Sequence, residues 1–170
     1  AKKLDLNKLK ENYFSKYATV DCLINNAGII QKFISVNDLE MEEINHVMDV
    51  NFFGMLKVTK MFLPYLLKNS EGHIVNVSSM GGFFPFPKQT IYGASKAAVK
   101  IFSEGLYGEL LGTNVGVTTV FPGAVNTNIV KNSGVEIKIK DQSKKMVMTE
   151  PSDAAQKIID GIEKNKFQVY

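Results

Sequence analysis

A tyrosine and a lysine stand four positions apart in the segment Tyr92-Gly-Ala-Ser-Lys96. On a helix this spacing places both side chains on one face, about one turn apart. A free phenol has a pKa of about 10, and a nearby ammonium lowers that pKa because it favours the phenolate. The pair therefore predicts a general acid/base for a substrate oxygen at Tyr92. The same spacing is also typical of a partly exposed stacking pair with no chemical role.

Two serines, Ser78 and Ser79, follow the strand-like segment 73–77. The carboxyl ends of parallel strands are where ligands meet such sheets. Ser79 precedes Tyr92 by thirteen residues, and a hydroxyl there is a candidate donor to the carbonyl oxygen that Tyr92 protonates. Ordinary turn chemistry is the alternative for either serine.

Three further polar features accompany this pair. Asn51 interrupts the apolar face of a long predicted helix, where asparagine has poor propensity, and its side chain is a candidate for holding a water near Lys96. The turn Asn25-Asn-Ala-Gly28 follows an apolar run, and Gly28 permits close approach. The segment 122–127, Pro-Gly-Ala-Val-Asn-Thr, follows another apolar run and offers backbone groups and a hydroxyl to an amide ligand.

Strand-like and helical patterns alternate along the chain, which predicts a mostly parallel sheet with helices on both faces. Strands are predicted over 20–24, 73–77, 115–121 and 167–170. Helices are predicted over 42–67, with Pro64 able to kink or shorten it, over 90–111, and from Pro151 onward.

Some single residues and one long segment also carry expectations. The one cysteine, Cys22, lies in an apolar run and is predicted to be buried. Gly108 is predicted to allow close packing of its helix, and Gly112 to end it. Residues 124–149 lack periodicity and are polar, so we expect them to form a substrate lid. The loop 81–87 is either an apolar wall beside Ser79 or a hydrophobic loop packed on the lid or on a subunit neighbour.

Composition limits the function classes. The 170 residues suffice for one domain with one core. The net charge of +3 is small and scattered, so we expect no nucleic-acid partner. One cysteine and two histidines fall at no metal-ligand spacing. The apolar runs are shorter than the ~20 residues of a membrane span, and we expect a cytoplasmic, reducing location.

In order and spacing, these segments resemble the short-chain dehydrogenase/reductase family, over nearly the whole chain: Asn25-Asn-Ala-Gly28, Asn51, Ser79, Tyr92-x-x-x-Lys96 and Pro122-Gly123. The resemblance implies an α/β fold with a Rossmann-like, doubly wound parallel sheet flanked by helices. It also implies an oxidoreductase that transfers hydride between NAD or NADP and a small-molecule carbonyl or alcohol substrate.

The same resemblance assigns roles to individual residues. Tyr92 would exchange the proton and Ser79 would orient the substrate. Lys96 would lower the pKa of Tyr92 and bind the nicotinamide ribose, and Asn51 would hold a relay water. Val125 and Thr127 would contact the nicotinamide carboxamide, and Asp5 would meet adenine. The full cofactor-binding set implied is Asp5, Asn25, Ala27, Gly28, Tyr92, Lys96, Pro122, Gly123, Val125 and Thr127.

The chain departs from the family pattern at its beginning. The family's glycine-rich turn, T-G-x-x-x-G-[IL]-G, which holds a pyrophosphate, does not occur, and the first glycine is Gly28. We therefore expect a single partial domain over 1–170 that lacks its first strands and, by itself, has little affinity for NAD(P)H and little activity. The alternative function is that of a non-enzymatic truncated homologue acting as a binding or interaction domain.

Members of the family commonly pair two long helices across a two-fold axis, here those that contain Asn51 and Tyr92. We expect a homodimer or homotetramer, because the outward faces of these helices carry more apolar residues than a monomer exposes: Phe53, Met61, Phe102 and Leu106.

Overall fold

A sheet of four parallel strands forms the centre of the computed structural model, which describes residues 5–84, 86–135 and 148–170. The spatial order of the strands follows the chain: β1 (Cys22–Asn25), β2 (Gly72–Val77), β3 (Val115–Val120) and β4 (Gln168–Val169). Each strand pairs in parallel with the next, and parallel neighbours require crossover connections, which here contain helices.

The helices are α1 (Leu6–Phe14), α2 (Met41–Met48), α3 (Met55–Leu66), α4 (Thr90–Leu110), α5 (Ile129–Asn132) and α6 (Pro151–Glu163). A π-helical turn, Asp49–Gly54, joins α2 to α3. The predicted helix over 42–67 therefore changes its hydrogen bonding at Asn51. Pro64 lies within α3 and does not shorten it.

Helices cover both faces of the sheet, which confirms the predicted doubly wound arrangement. α3 and α4 pack on one face around a core of Val20, Phe62, Leu66, Ile74, Leu106, Leu110, Val115 and Val117. On the other face, α6 supplies Ile158 and Ile162 against Val75, Val120 and Val169. Among the described residues, no helix is long and apolar enough to cross a membrane.

The register of the strands fixes where the site forms. Asn25 pairs with Asn76, and Asn76 pairs with Thr119. The strands β1, β2 and β3 therefore end at a common edge, and the segments that follow them meet there.

Three predicted environments are wrong. Cys22 is exposed, because it lies on β1 at an edge of the described sheet and faces away from the core that Leu23 joins. A Cβ built on Gly108 has no atom within 4 Å, so this glycine does not serve close packing in the described chain. Leu106 is buried in the core rather than outward-facing. Gly112 ends α4 as predicted, with a positive φ of 80°.

The predicted lid, 124–149, lies partly outside the described residues, which omit 136–147. Its described ends lie side by side. Thr149 donates its amide to the carbonyl of Ala124 at 2.8 Å and accepts from the amide of Asn126 at 2.9 Å. The first part also contains the short helix α5.

Candidate active site

Tyr92 lies in the first turn of α4, half-buried at the carboxyl edge of the sheet. Burial raises the pKa of its phenol, since the anion is poorly solvated there, and hydrogen bonding with Ser79 lowers it by less. The sequence predicted a lowered pKa. The difference arises because desolvation outweighs the favourable neighbours, and Tyr92 therefore keeps its proton at neutral pH.

Lys96 is one helical turn further along α4 and only 3% exposed. Its ammonium donates to the backbone carbonyl of Val77 at 2.9 Å and lies 6.0 Å from the centroid of the Tyr92 ring. Burial lowers the pKa of Lys96 to about 8. The side chain is therefore mostly charged at neutral pH, although burying this charge destabilises the folded protein.

The two serines after β2 have different surroundings. The Ser78 hydroxyl is buried and donates to the backbone carbonyl of Lys96 at 2.7 Å, so it ties β2 to α4. The Ser79 hydroxyl accepts from the amide of Gly81 at 3.0 Å and lies beside Tyr92. Of the two, Ser79 is therefore the hydroxyl available to a substrate next to the phenol.

Two glycines hold the loop after Ser79 close to α4. A Cβ on Gly81 would lie 3.2 Å from the Tyr92 ring and 3.4 Å from the Ser79 hydroxyl. A Cβ on Gly82 would lie 3.0–3.1 Å from backbone atoms of Lys96 and Ala97. Since real Cβ atoms rarely approach so closely, the absence of side chains at these positions allows Ser79 and Tyr92 to meet.

Asn51 sits in the π-helical turn and is buried. Its amide nitrogen donates to the carbonyl of Ile29 at 2.9 Å and to the hydroxyl of Ser95 at 2.8 Å, and its oxygen accepts from the amide of Ile29 at 2.8 Å. Both hydrogen bonds that the Asn51 amide donates therefore go to protein atoms and not to a water. The predicted relay water would have to use the remaining lone pair of the side-chain oxygen, and the clearest role of Asn51 is to join the loop after β1 to α4.

The side chain of Asn25 faces the core rather than the open edge. Its amide donates to Thr59 at 3.0 Å and to the oxygen of Asn76 at 2.8 Å, and Asn76 in turn donates to Ser103 at 2.9 Å. These bonds form a polar layer that joins β1, β2, α3 and α4. Contact between Asn25 and a cofactor would therefore involve its backbone.

The site has features that suit one half of a nicotinamide cofactor. A Cβ on Gly28 would lie 3.2 Å from the Lys96 ammonium, so the glycine keeps the approach to that charge open. The exposed Thr127 supplies a hydroxyl at the same edge, and Pro122, Gly123 and Val125 supply backbone. A cation and neutral hydrogen-bonding groups match a ribose and a carboxamide in chemistry. Ala27 is exposed beside Gly28.

Asp5 lies at the beginning of α1. Its carboxylate caps α1 by accepting from the amide of Lys8 at 3.0 Å, and it is exposed. α1 packs on α3. Asp5 therefore has a helix-capping role in the structure, and its contact with adenine stays a prediction.

The loop 81–87 packs in part on the body of the protein. The Phe83 ring lies 4.7 Å from that of Phe121 and 6.4 Å from that of Tyr170, and Lys100 sits over it at 5.2 Å. Phe83 thus packs on the body of the protein, whereas Phe84 and Phe86 are exposed. The apolar wall beside Ser79 and the packing on the lid or on a subunit neighbour both stay predictions.

Gln31 and Ser95 contact the site, and sequence reasoning missed both. The buried Gln31 oxygen accepts from the backbone amides of Ile91 and Tyr92, and Ser95 links Asn51 to α4 through the carbonyl of Tyr92. Neither residue stands in a pattern that could have revealed it. Gln31 acts on backbone amides sixty residues away in sequence, and Ser95 receives the side chain of Asn51 from a distant helical turn.

Comparison with known proteins places these observations in a family. The sequence profile described as short chain dehydrogenase matches residues 1–138. An uncharacterized short-chain type dehydrogenase/reductase of Sinorhizobium fredii is 36% identical over 145 residues, covering 82% of this chain and 58% of that protein.

Solved structures agree. A short-chain dehydrogenase from Sphingobium yanoikuyae in complex with NADPH has a TM-score of 0.82 at 27% identity, over 97% of this chain and 62% of that one. A short chain dehydrogenase/reductase from Burkholderia phymatum in complex with NAD has a TM-score of 0.84 at 25% identity, over 95% of this chain and 64% of that one. The chain thus spans about three fifths of the length of each of these three proteins.

Proposed function

Since the chain belongs to the short-chain dehydrogenase/reductase family, we propose that the protein is an NAD(P)-dependent oxidoreductase that interconverts a small-molecule carbonyl and its alcohol. The observation that carries the proposal is the meeting of three groups at the carboxyl edge of the sheet. The phenol of Tyr92, the hydroxyl of Ser79 and the ammonium of Lys96 lie together there. This assembly favours an enzyme over a domain that only binds partners.

The proton step follows from the state of these groups. Tyr92 is protonated at neutral pH, since a phenol has an ordinary pKa of about 10 and burial raises the pKa of this one, so it is suited to donate a proton to a substrate oxygen. Ser79 orients that oxygen with a second hydrogen bond. Lys96 stabilises the phenolate that donation leaves behind, since an opposite charge favours the anion. A bound nicotinamide supplies or accepts the hydride.

The same residues would hold the nicotinamide half of the cofactor. Lys96 would bind the ribose hydroxyls through the opening beside Gly28, and Thr127 with the backbone at Val125 would meet the carboxamide. Pro122, Gly123, Ala27 and the backbone of Asn25 would line this region. One structural neighbour is in complex with NADPH and another with NAD, so we propose NAD or NADP without choosing between them.

We further propose that the protein is a cytoplasmic homo-oligomer. Two exposed apolar side chains support the association, because Phe53 is 42% and Ile101 is 62% exposed. Phe53 lies on the π-helical turn that contains Asn51, and Ile101 lies on α4, which contains Tyr92. The helices with these two residues are the ones predicted to pair.

The test is steady-state turnover by the intact polypeptide as its gene encodes it. NADH and NADPH are each mixed with a panel of aliphatic, aromatic and polycyclic ketones and aldehydes, and the loss of reduced nicotinamide is followed by absorbance. The reverse reaction is run with the corresponding alcohols. Turnover with at least one pair supports the proposal. An intact, folded protein inactive with both cofactors in both directions would contradict it.

A further inference from the structure

The beginning of α4 is held by a side chain sixty residues earlier in the sequence. The side-chain oxygen of Gln31 accepts from the backbone amide of Ile91 at 2.7 Å and from that of Tyr92 at 3.0 Å. Gln31 is 1% exposed. Two short bonds from one buried oxygen to successive amides are a specific arrangement, and the second of those amides belongs to the proposed acid/base itself.

A helix needs such an acceptor because its first amides have no partner within the helix. In α4 the amide of Gly93 is the first to bond within the helix, to the carbonyl of Gln89 at 2.9 Å. The amides of Ile91 and Tyr92 are the two that an N-cap side chain normally satisfies. The local N-cap residue, Gln89, makes no such bond, so Gln31 takes its place.

From this geometry we infer that Gln31 is a positioning residue of the proposed reaction, which caps α4 in trans and fixes Tyr92 at its first turn. Helix ends fray, and Tyr92 is the third residue of its helix. Without the cap, the backbone that carries the phenol would lose two hydrogen bonds, and the phenol would move relative to Ser79. The inference rests on the proposed function of Tyr92, whereas the capping itself does not.

The bonding of Gln31 also defines how it can be replaced. Among the described residues, its side-chain nitrogen is buried and has no hydrogen-bond partner. Glutamate at this position therefore keeps both accepted bonds and gives up no donated one. Two amide donors at a helix N-terminus favour the charged carboxylate. That new charge lies close to Tyr92, and a like charge raises the pKa of the phenol further.

The test compares Gln31→Met with Gln31→Glu in the intact polypeptide as its gene encodes it. Hydrogen–deuterium exchange at the amides of Ile91 and Tyr92 should become about fivefold faster in Gln31→Met, since a lost N-cap is worth about one kcal/mol. Gln31→Glu should keep the original exchange rate. In Gln31→Glu the phenolate absorbance of Tyr92, isolated as the difference from Tyr92→Phe, should appear at higher pH.

Asn114→Leu provides the matched control. The Asn114 amide also makes two bonds to backbone, to the carbonyls of Leu66 and Asn69 at 2.9 and 2.8 Å, but at the opposite end of the sheet. The Asn114→Leu variant should be less stable than the unaltered protein, but its exchange at Ile91 and Tyr92 and its titration of Tyr92 should be unchanged. In the intact enzyme, Gln31→Met should lower kcat more than it raises the KM for the cofactor.

Exchange in Gln31→Met that is unchanged, or no faster than in Asn114→Leu, would overturn the inference. So would a Tyr92 titration that both Gln31 variants leave untouched. If Gln31→Met does not fold, the retained exchange and shifted titration of Gln31→Glu still decide the question. Because exchange is measured without turnover, capping can be upheld even if the proposed enzymatic function fails.

Discussion

The positively charged side chain of Lys96 is buried almost completely from solvent. The only hydrogen bond of its ammonium in the described residues is to the carbonyl of Val77, and burial lowers the pKa of Lys96 from 10.5 to about 8. Between those two pH values the unfolded chain binds the proton that the folded chain has released. Stability therefore rises with pH across this window, and the buried charge costs about 3 kcal/mol below it.

The substitution Lys96→Met tests this cost. The free energy of unfolding of Lys96→Met, relative to the unaltered chain, should be about 3 kcal/mol larger at pH 7 than at pH 10.5. Urea unfolding of both chains at the two pH values measures it, and groups other than Lys96 cancel in the comparison. A relative stability that does not change with pH would show that Lys96 is not held in a low-pKa state.

At the residue scale, the sequence predicted which side chains meet at the site but not their pKa values. The four-residue spacing and the strand ends were sufficient to bring Tyr92, Lys96 and Ser79 together. The pKa of Tyr92 was predicted in the wrong direction, because desolvation depends on packing that no local pattern describes. The role of Gln31 could not be predicted for a related reason, since its partners are backbone amides that any residue could supply.

The loop Ser79–Gly82 and the helix α4 form one positioning unit. Gly82 has no side chain to separate the loop from the helix backbone at Lys96. Gly108 is on the same helix, in open surroundings. The same substitution should therefore have opposite effects at the two sites.

Gly82→Ala should destabilise the chain by about 1–3 kcal/mol, since the added methyl meets backbone that cannot move aside cheaply. Gly108→Ala should stabilise it by about 0.5–1 kcal/mol, because alanine loses less entropy in a helix. Urea unfolding of the two variants measures both effects. Equal effects at the two positions would refute the close packing described for Gly82.

At the element scale, most helices and strands were predictable within a few residues. The π-helical turn was not, although Asn51 was singled out within it. The apolar period of 42–67 continues through this turn, and a change in backbone hydrogen bonding leaves that period almost intact. The exposure of Cys22 was missed because an apolar run predicts a strand but not its place in the sheet.

At the scale of the whole molecule, the described residues form a four-stranded parallel sheet with helices on both faces, as the alternation of patterns predicted. The outward apolar residues were predicted less well. Of the four expected, Phe53 is exposed, whereas Leu106 is part of the core and Met61 and Phe102 are partly buried against it. Ile101, which was not predicted, is the more exposed of the two apolar side chains that we assign to the pairing surface.

Replacing both Phe53 and Ile101 by glutamate should break self-association, because two buried unpaired charges cost more than the interface gains. Light scattering should give at least two chains for the unaltered protein and one chain for the double variant. Val36→Glu, at another exposed apolar residue, should leave the association unchanged. A single chain in the unaltered protein at tens of micromolar would contradict the proposal.

The central claim is that the Tyr92 phenol transfers the proton, and Tyr92→Phe in the intact enzyme tests it most directly. Tyr107→Phe is the matched control, because it removes a phenol hydroxyl from the same helix outside the site. Tyr92→Phe should lower kcat by roughly 10²–10⁴-fold and leave the Kd for the cofactor within a few-fold, while Tyr107→Phe should keep both. Near-normal turnover by Tyr92→Phe would contradict the account.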